Sequence, residues 1–174
     1  MRHDETVLTV AGSLVRAYRA GTGPELVLLH GGGADDARRA WEPVWTALTG
    51  HARVTAPDLP GYGGTPLGTT VPTVAGYASW LGAFLDACAL GPVTLAGLSL
   101  GGRIALRTAL AMPERVTRLA LRGVTVPRGG SRGEPGGLAC PVLLLSGQAN
   151  RLTPGGGVVA ELVAFLSSAA TRPG

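Results

Sequence analysis

The chain has 174 residues, 45% of them hydrophobic and only 15% charged, with 28 glycines; this suits one core-forming domain over residues 1–174 and excludes a disordered chain. Its net charge of +4 rests on arginines scattered from Arg2 to Arg172, with no lysine and 5% aromatics, so no basic, aromatic-laced face for nucleic acid is expected. Cys88 and Cys140 have no metal-like spacing, the segment Met1-Arg2-His3-Asp4-Glu5 lacks a signal-peptide core, and no apolar run is long enough for a membrane helix, which leaves a cytoplasmic location as the expectation.

Val7–Val10 and Leu14–Tyr18, separated by Ala11-Gly12-Ser13, read as an opening hairpin. Leu26-Val27-Leu28-Leu29 is an unbroken apolar run that suits a strand buried on both faces of a parallel sheet, and it ends at His30-Gly31-Gly32-Gly33. A helix is predicted over Trp41–Leu48. Val54–Ala56 forms a strand running into the turn Asp58-Leu59-Pro60-Gly61-Tyr62-Gly63. The next helix has Thr73 as N-cap and Val74, Tyr77, Leu81, Phe84, Leu85 and Cys88 along one stripe. A strand over Val93–Leu98, a helix over Leu100–Ala111, strands over Leu119–Val124 and Val142–Leu145, and a helix over Val158–Ala169 complete the pattern. Strands alternating with helices imply a mostly parallel sheet with right-handed crossovers.

Gly97-Leu98-Ser99-Leu100-Gly101 lies between an apolar strand and an amphipathic helix, the context in which G-x-S-x-G carries chemistry. Small residues on either side let the turn close, so that the Ser99 hydroxyl stands above the sheet as a nucleophile. The turn also sets the Leu100 N–H at a helix N-terminus, where it is able to donate to a developing oxyanion. Gly32, in the loop after the earlier strand, is the expected second donor. His30 and Gly31 fall at the substrate-binding edge of this site, His30 as a loop-shaping residue rather than a base.

These pieces resemble the α/β-hydrolase fold-1 family, and within it the lactonase, esterase and meta-cleavage-product hydrolase branches. The resemblance rests on His30-Gly31, Trp41 as the start of the first helix, Asp58 to Gly63, Gly97 to Gly102, Pro113-Glu114-Arg115-Val116 and Pro141 to Gly147. It implies a Ser, Asp, His triad, and here the sequence departs. Asn150 stands where the acid belongs, no histidine follows His51, and the family's lid is reduced to Pro127–Gly137. The fold expected is therefore a shortened, nearly lidless α/β hydrolase.

A hydroxyl without a base is a weak nucleophile at neutral pH. Asp35, Asp36 and Glu134 are candidate substitutes, each more simply read as a solvated loop acid. The expected function is hydrolysis of small esters, lactones or thioesters by an impaired serine hydrolase. The alternative is a non-catalytic remnant that binds ligands or partners. A dinucleotide site is disfavoured, since Gly97, Gly101 and Gly102 do not give the G-x-G-x-x-G spacing. No metal or organic cofactor is implied. The strand Val142–Leu145, as a sheet edge, is expected to support a homodimer.

Overall fold

The computed structural model describes residues 4–125, 138–145 and 157–168. Among these, the strands form one sheet in the order β1-β2-β4-β3-β5-β6-β7. β1 (Asp4–Val10) and β2 (Ser13–Ala20) make the opening hairpin, each longer than its apolar run suggests. Ala11 and Gly12 join them with φ of +48° and +80°, a pair of left-handed residues whose twist matches that of the strands.

β3 (Glu25–Leu29) lies between β4 (Arg53–Pro57) and β5 (Val93–Leu98), parallel to both. β6 (Val116–Arg122) and β7 (Val142–Leu145) extend the parallel part, whereas β2 meets β4 antiparallel. Strands covered on both faces need apolar residues at every position. In β3, Val27 and Leu29 enter one core cluster, Leu26 and Leu28 the other. The first cluster is closed by α3 (Val74–Ala87) and α4 (Leu100–Ala111), the second by α1 (Ala37–Trp41), α2 (Trp45–Thr49) and α5 (Gly157–Ser167). The buried Cys140 and half-buried Cys88 pack in the first cluster, and burial pushes both thiols above their usual range.

Thr73 caps α3 as expected, its Oγ1 accepting the Gly76 N–H at 3.1 Å. The first helix differs from expectation. It starts at Ala37 and ends at Trp41, because the Asp36 carboxylate accepts the Arg39 N–H at 2.8 Å and so caps the helix earlier. Pro43, which has no N–H, then turns Glu42–Val44 into a single 3-10 turn before α2 begins. β6 likewise begins earlier, since Val116 and Arg118 pair with Val93 and Thr94, and Gly123 at φ +67° ends it before Val124.

The order of the strands positions the site. From β3 the chain moves to β4 on one side and then returns to β5 on the other. Loops leaving β3 and β5 at their C-terminal ends therefore diverge, and a crevice opens between them.

Candidate active site

Ser99 sits at the junction of β5 and α4 with φ +47° and ψ −108°, a conformation a non-glycine residue adopts only when its surroundings enforce it. Its N–H donates to the Arg122 carbonyl at 2.8 Å, and its carbonyl accepts the Arg103 N–H at 3.0 Å. The glycines around it have no room for a side chain. A Cβ on Gly97 would stand 2.5 Å from the backbone of Gly101 and Gly102, and one on Gly101 would stand 2.3 Å from the Leu29 carbonyl oxygen. The Gly101 N–H donates to the His30 carbonyl at 3.1 Å and ties the turn to the loop after β3.

That loop is held by His30, which is fully buried. Its Nδ1 donates to the Gly31 carbonyl at 2.6 Å and its Nε2 accepts the Leu59 N–H at 2.9 Å. Burial pushes the imidazole below its usual range, only partly offset by the Gly31 carbonyl and the charge of Asp58. A neutral ring with both nitrogens engaged shapes the loop, as the sequence suggests. His30 is not among the residues that wall the cavity beside Ser99.

Asp58, also fully buried, braces the same region from the end of β4. Its Oδ1 accepts the Ala37 N–H at 2.9 Å, while its Oδ2 accepts the Gly64 N–H and the Arg16 Nε, both at 2.7 Å. Burial disfavours the Arg16 charge, but the hydrogen bond and charge of Asp58 outweigh it and hold the guanidinium above its ordinary value.

Between turn and loop lies a cavity of about 180 Å³, walled by Gly31, Gly32 and Asp35 from the loop and by Leu98, Ser99, Leu100 and Arg103 from the turn and α4. Leu100 is the first residue of α4, so its N–H has no carbonyl within the helix. Gly32 packs beside it, the place of a Gly32 Cβ lying 3.6 Å from Leu100 Cδ2 and from the Tyr62 hydroxyl. The structure thus brings Ser99, Leu100, Gly31 and Gly32 together. Asn150 and Glu134 lie outside the described residues. Asp36 is occupied as a helix cap. His51 is exposed beside the start of β4, at the opposite end of the sheet.

Of the cavity residues, Arg103 went unmarked in the sequence and Asp35 was read there as a solvated loop acid. Arg103 follows Ser99 by one helical turn, a spacing that puts both on one face. Asp35 sits in an irregular loop, where no periodicity reveals its direction. Among the described residues, no three His, Cys, Asp or Glu side chains converge as metal ligands, and no helix is long and apolar enough to cross a membrane.

A family model described as alpha/beta hydrolase family matches residues 26–173. The 2-hydroxy-6-oxo-2,4-heptadienoate hydrolase of Pseudomonas putida is 38% identical over 123 residues, 67% of this chain and 43% of that protein. A pimeloyl-[acyl-carrier protein] methyl ester esterase of Aeromonas hydrophila is 41% identical over 106 residues, 60% of this chain and 39% of that protein. The crystal structure of a serine hydrolase involved in carbazole degradation superposes with a TM-score of 0.68 at 31% identity, covering 71% of this chain and 49% of that one. In each case the match spans less than half the length of the relative.

Proposed function

The chain belongs to the alpha/beta hydrolase family, and on that footing we propose that it is a serine hydrolase of small carboxylic esters, lactones or thioesters, with Ser99 as nucleophile. The observation that carries this reading is the strained Ser99 backbone facing a cavity whose opposite wall is Gly32. Attack of Ser99 Oγ on a carbonyl carbon moves the π pair onto oxygen, and the N–H groups of Gly32 and Leu100 stabilise that charge. Preorganised donors of this kind account for about 10² to 10³ in turnover each. The cavity, below the roughly 300 Å³ at which drug-sized sites begin, suits a small acyl group.

No histidine among the described residues lines the cavity, so proton transfer is the weak step and the enzyme is slow. Two unpaired cysteines among the described residues fit the reducing cytoplasm. The same lack of an imidazole favours a second reading, a non-catalytic ligand binder. Mapping the adduct of a fluorophosphonate by mass spectrometry separates the two. The proposal expects slow, stoichiometric modification of Ser99 that disappears in Ser99→Ala; a binder shows no adduct at Ser99 beyond that of the unfolded chain.

A further inference from the structure

Resting on the reading of Ser99 as nucleophile, we infer that Asp35 is the proton acceptor of this site, reached from the Ser99 hydroxyl through one water molecule. The position a Gly31 Cβ would occupy lies 3.0 Å from Asp35 Oδ2 and 3.9 Å from Ser99 Cβ. Carboxylate and serine therefore flank the same glycine and border the same cavity. Gly31 does not have a positive φ. Its value here is space, since a side chain would press on the carboxylate.

The other acceptors nearby are occupied. His30 has both nitrogens bonded, Asp58 holds Ala37, Gly64 and Arg16, and Asp36 caps α1. Asp35 has no hydrogen bond or ion pair among the described residues. The groups around it are Arg103 across the cavity, Asp36 beside it, Arg39, whose Nη1 donates to the Ala34 carbonyl at 2.9 Å, and the His30 and Tyr62 rings behind the loop.

In the first half-reaction, the Ser99 proton passes to the water and a water proton passes to Asp35 as Oγ bonds to the acyl carbon. Collapse of the intermediate breaks the bond to the leaving oxygen, which takes the proton back from the neutral carboxyl by the same path. In the second half, water attacks the acyl carbon, Asp35 takes its proton, and Ser99 Oγ leaves and is reprotonated. The sum is ester plus water giving acid plus alcohol.

The test is the rate at which a fluorophosphonate modifies Ser99 at neutral pH, measured in ordinary and in heavy water for the wild type, Asp35→Asn and Asp35→Glu. A positioned base contributes about 10²-fold or more when it acts directly, so Asp35→Asn is expected to slow labelling by about tenfold or more, and Asp35→Glu, which keeps a carboxylate, to recover part of the rate. Labelling of Asp35→Asn at the wild-type rate overturns the role of Asp35 while leaving Ser99 as nucleophile. A wild type labelled equally fast in heavy water, with no proton in flight, overturns it even if Asp35→Asn does not fold. A wild type that is never labelled overturns the nucleophile assignment, and this inference with it.

Discussion

Two glycine-rich turns meet at the cavity, and their glycines are there for opposite reasons. In the turn around Ser99, the glycines are crowded by backbone: a Cβ on Gly97 or Gly101 would lie 2.3–2.5 Å from fixed main-chain atoms. In the loop after β3, the space beside Gly32 is of ordinary contact size and Gly33 meets nothing within 4 Å. The first set lets the strand, turn and helix close on one another. The second leaves room for a ligand. A glycine motif is thus a packing requirement in one segment and a binding space in the next.

Substitution should separate the two turns. Gly101→Ala forces backbone against backbone, with no flexible side chain to yield, and should cost about 3 kcal/mol or more, or prevent folding; urea denaturation gives the value. His30→Ala, which strips the Leu59 N–H of its buried acceptor, should cost about 1–3 kcal/mol. Because burial lowers the His30 pKa from 6.5, the unfolded chain binds a proton that the fold does not. Wild-type stability should therefore hold above pH 6.5 and decline below it, and His30→Ala should lack that share of the decline.

Gly33→Ala meets only its positive φ of 76° and should cost about 1 kcal/mol. Gly32→Ala should change stability by no more than about 0.5 kcal/mol. A Gly32→Ala loss as large as that of Gly101→Ala would erase the distinction between the turns.

At the far side of the sheet, Leu144 on β7 is 55% exposed. We propose that this strand recruits a second copy of the chain. Light scattering at micromolar concentration should show dimers that Leu144→Lys weakens, and a monodisperse wild-type monomer speaks against it.

What was legible in the sequence follows the same physics. β5 and α4 have the bounds read for them, Val93–Leu98 and Leu100–Ala111, because an apolar run, a glycine-flanked serine and a helical stripe abut with no gap. The start of α1 was not legible, since its cap is an aspartate in a run of two and its end is set by Pro43. Nor was the brace between Arg16 and Asp58, which joins residues 42 positions apart. Arg103 escaped, and Asp35 was read as a solvated loop acid, for a related reason: the cavity is made by a crossing of loops, and only the fold reveals which loop side chains border it.

The role of Ser99 as nucleophile is tested most directly by acid-quench peptide mapping during hydrolysis of p-nitrophenyl acetate. A nucleophilic Ser99 should carry an acetyl group, with turnover below about 1 s⁻¹ and no acetylated peptide from Ser99→Ala. Acetylation at another residue, or hydrolysis by Ser99→Ala at the wild-type rate, would contradict it.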